Sequence, residues 1–167
     1  MSSRDIGMLV PPLQILFHEF RMGMDDSGLP FIVTCTTRSK DEQVALYAQG
    51  REDIAIVNEL RKVCNLSPLT YKQNKEITWT LRSKHFPIDR NDILGQVHPD
   101  WVGMGLAFDI AIVKDGKPTW DIKVDVNKDE IPDYIEAANV GESVGLICGA
   151  KFFKPAKPDY PHFQLKV

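Results

Sequence analysis

The stretch Gly105-Leu-Ala-Phe-Asp-Ile-Ala-Ile-Val-Lys-Asp-Gly116 decides the fold class of this chain. Its run of apolar and β-branched residues predicts a strand over residues 107–113, and the Asp115-Gly116 pair that follows is a turn signal typical of a hairpin. Similar runs predict strands over residues 31–36, 77–81 and 163–167. Because these strands do not alternate regularly with helices, the pattern predicts an α+β domain with a small, mainly antiparallel sheet flanked by helices.

Four helices are predicted around these strands. Pro11 and Pro12 precede apolar residues spaced i, i+3, i+4 and i+7, which is the pattern of an amphipathic helix with prolines at its entry. Ser39, with Glu42 three residues later, forms a capping box that opens the second helix. The four helices are expected over residues 13–24, 39–47, 54–64 and 130–144.

The composition is that of an ordinary folded protein, with 43% hydrophobic and 26% charged side chains over 167 residues. We therefore expect a single domain over residues 1–167. The net charge of −3 argues against a nucleic-acid partner, because phosphate neutralisation needs clustered Lys and Arg. No stretch is long and apolar enough for membrane insertion or for a signal peptide, so we expect a cytoplasmic protein, and no obligate protein partner is evident.

The three cysteines, Cys35, Cys64 and Cys148, are odd in number and have no C-x-x-C spacing. This pattern argues against a disulfide framework and against a thiolate zinc site, so the thiols are interpreted as reduced core residues. Any metal site is then expected to use carboxylates and some of the four histidines.

Two histidines and two aspartates carry most of the chemical content. His85, Asp109 and His162 would offer zinc two imidazoles and a carboxylate, with an open position for water, as a hydrolytic site needs. Asp159 precedes His162 across a turn stiffened by Pro161 and could take a proton from that water. Each residue alone has an ordinary interpretation, since an isolated His is more often a hydrogen-bonded structural residue and an isolated Asp more often ends a strand.

The order of these segments is more specific than any one of them. Ser83-Lys-His85, Gly105-Leu-Ala-Phe-Asp109 and Asp159-Tyr-Pro-His-Phe163 are similar to the pattern S-x-H-x-x-G-x-A-x-D followed by D-x-P-H-F. Upstream, residues 37–51 resemble the segment R-S-x-x-E-Q-x-x-L-Y-x-Q-G-R. Both patterns belong to the zinc-dependent cell-wall peptidases, which include D-alanyl-D-alanine carboxypeptidases and dipeptidases and the L-alanyl-D-glutamate endopeptidases of phage endolysins. The resemblance runs from about Phe31 to the C-terminus.

The resemblance implies roles for the matching residues. It implies that His85, Asp109 and His162 bind one zinc ion. It also implies that Asp159 is the general base for the zinc-bound water and later the general acid for the leaving amine.

Three further polar residues match the family pattern. Arg38 matches the arginine that stabilises the oxyanion or holds a substrate carboxylate. Gln43 and Ser83 would support substrate binding as polar neighbours. From the residues alone, Arg38 has the alternative interpretation of a surface residue at a helix start, and Gln43 and Ser83 that of ordinary capping and loop residues.

The chain departs from the family pattern between His85 and Gly105, where the family usually has two residues and this chain has residues 86–104. A surface loop inserted between two strands is the simplest interpretation, because the entropy cost of closing a loop grows slowly with its length. The insert contains His98, which is a rival zinc ligand. We favour His85 because it follows the predicted strand over residues 77–81 and the family serine, Ser83.

Residues 125–136 have the oxygen-ligand spacing of a twelve-residue calcium loop. Its positions 1, 3, 5, 9 and 12 are Asp125, Asn127, Asp129, Asp133 and Glu136. Glu130 stands where such loops have glycine for a sharp turn, which counts against calcium binding. The alternative is an acidic helix N-terminus whose carboxylates face the positive end of the helix dipole.

The function expected from the resemblance is zinc-dependent hydrolysis of peptidoglycan stem peptides by an L-alanyl-D-glutamate endopeptidase, acting as a phage or prophage endolysin that reaches the wall after the membrane is breached. One alternative is a cytoplasmic D-alanyl-D-alanine carboxypeptidase or dipeptidase. A second is a non-catalytic wall-binding or virion module that keeps the fold. The insert and the Ile147-Cys148 pair, where many relatives have Trp before Gly149, motivate this second alternative.

Overall fold

A computed structural model of the protein describes residues 2–77, 83–89, 98–152 and 157–166. Within these ranges the chain forms four α-helices and an antiparallel sheet of five strands, which confirms the predicted α+β architecture. In chain order the elements are α1 (Pro11–Asp26), β1 (Phe31–Cys35), α2 (Lys40–Tyr47), α3 (Ile54–Val63), β2 (Ala107–Lys114), β3 (Lys117–Thr119), α4 (Asp133–Ser143), β4 (Ile147–Cys148) and β5 (His162–Gln164).

Strand β2 is the centre of the sheet, in which the strand order is β1-β2-β5-β4. Strand β5 pairs with residues 107–109 of β2, and β3 pairs with residues 112–114. Asp115 and Gly116 have φ values of 52° and 73°, the left-handed conformation that a tight hairpin turn requires. The hairpin predicted at this dipeptide is therefore confirmed.

Alternation along β2 separates a core face from a second face of the sheet. Phe108, Ile110 and Ile112 are fully buried in the main hydrophobic cluster. The Phe20 ring of α1 lies 5.6 Å from the Phe108 ring and 4.8 Å from that of Phe163. Because successive side chains of a strand point to opposite faces, this packing directs Asp109 away from the core.

Some predicted boundaries differ from the structure. Helix α4 begins at Asp133 instead of residue 130, because Lys128 and Glu130 have φ values of 63° and 72°, which a right-handed helix does not allow. Strand β5 begins one residue earlier than predicted and ends at Gln164. Strand β2 extends one residue beyond the predicted 107–113 and contains Asp109, as predicted.

Two predicted features lie partly or wholly outside the described residues. The strand predicted over residues 77–81 lies outside the described residues from residue 78 onward. Residues 90–97 of the predicted insert also lie outside them. Among the helices of the described ranges, none combines the length and apolar character needed to cross a membrane.

Candidate metal centre

Three adjacent strands project side chains at the same level from the face of the sheet opposite the core. Asp109 in β2 pairs with His162 in β5 on one side and with Cys35 in β1 on the other. Directly paired residues of antiparallel strands project to the same side, so these three side chains form what we call the 35–109–162 row. The row depends on an irregularity in β1, where the register shifts between Val33 and Cys35.

His85 reaches this row from the loop that precedes β2. Its carbonyl oxygen accepts a hydrogen bond of 2.9 Å from the backbone N–H of Arg38, and Leu106 N donates to Lys84 O at 3.1 Å. The Ser83 hydroxyl accepts from the backbone N–H of His85 at 3.2 Å. The segment is thus held between the residues that follow β1 and those that precede β2, and His85 is buried there.

Three potential metal ligands meet at one point. The Oδ1 atom of Asp109 lies 3.0 Å from Nε2 of His85 and 3.0 Å from Nδ1 of His162. The two imidazole nitrogens are 3.3 Å apart. Zinc bonds of 2.0–2.1 Å in a tetrahedron separate neighbouring nitrogen and oxygen ligands by about 3.3 Å, so these atoms are spaced as the corners of a zinc site.

In each imidazole, the ring nitrogen that faces away from Asp109, here called the outer nitrogen, also has a hydrogen-bond partner. Nδ1 of His85 lies 3.2 Å from the carbonyl oxygen of Thr36, and Nε2 of His162 lies 3.0 Å from Oε1 of Gln164. Both partners are acceptors, so they favour the tautomers in which the outer nitrogen carries the proton. The inner nitrogens, Nε2 of His85 and Nδ1 of His162, are then left with the lone pairs that a metal needs. The donor set therefore fits a zinc ion.

A glycine of the sequence pattern allows the close approach behind His85. A Cβ atom at Gly105 would lie 2.7 Å from Thr36 O, the atom that orients the His85 ring. Any side chain at Gly105 would therefore displace this carbonyl group.

His85, Asp109 and His162 form what we call the ligand cluster, and the charges of His85 and Asp109 act strongly on each other. Burial alone would lower the pKa of His85, but hydrogen bonds to Asp109 and Cys35 and the charge of Asp109 raise it to about 10. Burial alone would raise the pKa of Asp109, but hydrogen bonds to His162 and His85 hold it well below its usual range. At neutral pH an imidazolium thus faces a carboxylate, and a divalent cation would take the place of the proton between them.

Arg38 and Gln43 border this cluster. The Arg38 Nη1 group donates a hydrogen bond of 2.9 Å to Oε1 of Gln43, and Nη2 lies 3.8 Å from Oδ2 of Asp109. Both side chains are buried, so Arg38 is not the surface residue of its alternative interpretation. Glu42, also buried, lies 3.9 Å from Nε of Arg38. The structure therefore places a fixed guanidinium beside the carboxylate of the cluster.

Asp159 begins the turn that leads into β5. Its N–H donates to Gly149 O at 2.9 Å, and its carbonyl oxygen accepts from His162 N at 3.0 Å. Asp159 is exposed as a residue, but the protein around its carboxyl group excludes part of the water and raises its pKa. The positive charge of His162 lowers this pKa and the negative charge of Asp109 raises it. Asp159 is therefore electrostatically coupled to the cluster.

Among the described residues, His98 contacts Asp100 and Trp101, not His85, Asp109 or His162. Its side chain is exposed, accepts from the backbone N–H of Asp100 at 3.3 Å, and lies 6.0 Å from the Trp101 ring. The described part of the insert is anchored by Ile88, whose N–H donates to Met104 O at 2.9 Å. Of the two rival histidines, it is His85 that meets Asp109 and His162.

Residues 125–136 form a tight loop before α4. The Asp125 carboxylate accepts hydrogen bonds from the backbone N–H groups of Lys128, Asp129 and Glu130. Glu130 has a φ of 72°, so this non-glycine residue adopts the turn conformation for which calcium loops use glycine. Asp133 is buried and accepts from Val126 N at 3.1 Å, while Asn127 Nδ2 donates to Glu136 at 3.0 Å.

The sequence interpretation missed two residues of the centre and the role of one backbone oxygen. Cys35 is buried as expected, but its sulfur lies with atoms of His85 and Asp109 in one group that could hold a metal ion. Gln164 and the backbone oxygen of Thr36 orient the two imidazoles. A metal ligand usually has such a hydrogen-bond partner, and this rule together with the alternation of β5 could have identified Gln164, two residues after His162.

The arrangement of helices and strands is similar to that of a solved structure. The crystal structure of ChiX from Serratia marcescens, an L-Ala D-Glu endopeptidase, matches with a TM-score of 0.50 and 19% identity. The match covers 99% of this chain and 89% of that chain. No protein-family model and no curated protein matches the sequence. At this identity the likeness concerns the fold, so we conclude that the chain has the fold of ChiX.

Proposed function

We propose that the protein is a zinc peptidase that hydrolyses peptide bonds in peptidoglycan stem peptides, and that its substrate bond is L-alanyl-D-glutamate. The observation that carries the proposal is the meeting of His85, Asp109 and His162 at ligand spacing, with both outer imidazole nitrogens held by acceptors. The ordered sequence motifs support the reaction class. The fold shared with ChiX, itself an L-Ala D-Glu endopeptidase, supports the choice of bond.

The side chains around the cluster have distinct tasks in this proposal. Zinc held by His85, Asp109 and His162 would supply Lewis-acid chemistry, which polarises a carbonyl group and activates water at neutral pH. The carboxylate of Asp159 takes a proton from the attacking water and passes it to the nitrogen of the leaving amine. Its raised pKa favours this exchange, because a carboxyl group must hold the proton between the two steps.

Arg38 would bind negative charge on the substrate. Its guanidinium is held by Gln43 and lies beside Asp109, so it is oriented before substrate arrives. A planar guanidinium can bind a stem-peptide carboxylate through two hydrogen bonds or stabilise a developing oxyanion. Ser83 contributes indirectly, since its hydroxyl accepts from the backbone of His85.

We further propose that this activity serves host-cell lysis by a phage or prophage. In this role the protein is stored in the cytoplasm and meets the wall once the membrane is breached. A net charge of −3 provides no general attraction to an anionic wall, so binding would depend on the site itself.

Product analysis on purified peptidoglycan tests the proposal. We expect new N-terminal D-glutamate with the zinc-loaded protein and none after treatment with a chelator. Release of D-alanine or of D-alanyl-D-alanine would instead support the carboxypeptidase or dipeptidase alternative. No new termini from folded, zinc-loaded protein would contradict catalysis and support the non-catalytic module.

We also propose that residues 125–136 bind calcium. The loop already has the sharp turn at Glu130, and burial with negative neighbours raises the pKa of Asp133 and of Glu136, so a cation there would relieve repulsion. Adding calcium to the zinc-loaded protein should raise its melting temperature, and Asp125→Ala should abolish the shift. An equal shift in the variant, or none in the unmodified protein, would contradict calcium binding.

A further inference from the structure

Cys35 is the one member of the 35–109–162 row to which the proposed function gives no role. Its side chain is almost completely buried, with 3% of the residue exposed. Among the described residues, the main hydrophobic cluster includes Cys148 but not Cys35. Cys35 is therefore buried outside the main hydrophobic cluster.

The sulfur of Cys35 lies close to two of the three residues of the proposed metal centre, His85 and Asp109. Its Sγ, a nitrogen of His85 and a carboxylate oxygen of Asp109 all lie within 4.8 Å of one another. In a tetrahedral zinc site a thiolate sulfur lies about 3.6 Å from the neighbouring nitrogen or oxygen ligands. The distances from Sγ of Cys35 to the nitrogen of His85 and to the oxygen of Asp109 therefore exceed this spacing by at most about 1.2 Å.

The backbone contact of the sulfur does not hold it firmly, and its side-chain partner is the His85 imidazole itself. The Sγ atom of Cys35 lies 3.7 Å from the carbonyl oxygen of Thr37, a long contact for a weak donor. Cys148 provides the contrast within the same chain. Its thiol donates to Ala138 O at 3.3 Å, and it packs against Gly141 in the core. Cys148 thus has the surroundings of a structural cysteine, whereas Cys35 faces an imidazole and a carboxylate.

We propose that Cys35 is a fourth protein ligand of the metal ion that His85, Asp109 and His162 hold. The inference rests on the proposed metal centre and extends it to a site with one sulfur, one oxygen and two nitrogen ligands. On binding, the thiol releases its proton to solvent and a sulfur electron pair forms the bond to the metal, so no oxidant or reductant takes part.

A thiolate ligand changes which metals the site prefers. Sulfur favours zinc, cobalt and cadmium over magnesium, calcium and manganese, for which oxygen ligands are better suited. Four protein ligands also fill a tetrahedron, so a substrate or water could enter only by expansion to five ligands or by displacement of one of them. Cys35 would thereby limit access to the metal as well as strengthen its binding.

Cobalt substitution tests the sulfur directly and without measuring activity. The metal-free protein is titrated with cobalt(II), and its absorption spectrum is recorded. We expect a near-ultraviolet thiolate-to-cobalt charge-transfer band that saturates together with the visible bands of tetrahedral cobalt. The band should be lost in Cys35→Ser and retained in the Cys64→Ser/Cys148→Ser double variant, in which Cys35 is the remaining thiol.

The outcomes separate this inference from the function on which it rests. Visible tetrahedral bands without the charge-transfer band would overturn the role of Cys35 and leave the metal centre intact. A band that persists in folded Cys35→Ser, checked by circular dichroism, or that disappears in the double variant, would also overturn it. Failure of the unmodified protein to bind cobalt or zinc would contradict the metal centre itself, and with it this inference.

Discussion

The Asp159 carboxyl group lies three residues before His162, at the start of a turn whose backbone is bonded to Gly149. Replacing it by Asp159→Asn keeps its size and removes the proton acceptor. We expect the rate of stem-peptide cleavage to fall by about 10²–10⁴-fold, the usual contribution of a general base, with unchanged zinc content. Cleavage rate and bound zinc are measured on the same preparation.

The control for this change is Asp100→Asn. Asp100 is exposed and pairs with His98, away from the cluster, so its removal should leave cleavage unaffected. Cleavage by Asp159→Asn at the rate of this control would show that the proton passes to another group.

In the proposed metal centre, Gln164 would act on the metal through His162. Its Oε1 accepts from the outer ring nitrogen at 3.0 Å, and loss of such a partner commonly weakens metal binding by about 10–100-fold. We expect that loss for Gln164→Ala, measured by competition with a chromophoric chelator. Gln164→Glu keeps an acceptor and should bind zinc close to normally. Equal affinities for the alanine variant and the unmodified protein would exclude this orienting role.

At the scale of residues, the sequence identifies the candidate ligands more readily than the groups that orient them. His85, Asp109 and His162 stand in an ordered pattern that can be recognised along the chain. The backbone oxygen of Thr36 has no signature, because any residue supplies a carbonyl group. Cys35 is interpreted as a core thiol from the number and spacing of the cysteines, and only the register irregularity in β1 places it opposite Asp109.

At the scale of elements, the turn before β5 depends on a close approach by Gly149. A Cβ atom there would lie 2.3 Å from the carbonyl oxygen of Asp159 and 3.0 Å from Cβ of His162. Gly149→Ala must therefore push the turn away from the sheet. We expect weaker zinc binding and a loss of about 1–3 kcal/mol in the free energy of unfolding, measured by urea denaturation.

Gly7→Ala is the matched control for Gly149→Ala. A Cβ atom at Gly7 would approach Asp5, with 3.2 Å to its nearest carboxylate oxygen, and that side chain can move. If Gly149→Ala resembles this control in both zinc affinity and stability, the packing at Gly149 does not determine the position of His162.

The elements themselves could be predicted where local signals are strong. Helix α1 begins at its prolines, α2 at its Ser39 cap, and β2 ends at the Asp-Gly turn. The start of α4 was wrong because Glu130 is an ordinary helix former in sequence, and only the folded loop holds it at positive φ. Burial of Arg38 and Gln43 likewise depends on packing between distant segments.

At the scale of the whole molecule, zinc would join the loop carrying His85 to strands β2 and β5. An ion that binds only the folded chain stabilises it by about 4 kcal/mol at a thousand times its dissociation constant, which for a chain of this size raises the melting temperature by about 8–16 °C. We expect this rise on adding zinc to metal-free protein. His98→Ala should keep the rise and His85→Ala should lose it.

The increase in melting temperature on adding zinc should also depend on pH. The raised pKa of His85, about 10, stabilises the metal-free fold below the unfolded pKa of about 6.5, and this contribution is lost as pH increases through 10. Zinc must displace that proton, so its stabilising effect should be greater at about pH 8 than at about pH 6. Thermal unfolding with and without zinc at both values checks this, and equal increments would contradict proton displacement.

The register irregularity in β1 also affects how this chain should be aligned with others. Val33 lies opposite Ile110 and Cys35 opposite Asp109, so Thr34 is the additional residue between two consecutive partners. In a homologous strand without that residue, counting forward from the core positions would reach the face that carries Asp109 one residue sooner. An ungapped alignment would then match Cys35 with a residue of the opposite face, and a one-residue gap at Thr34 restores the correspondence.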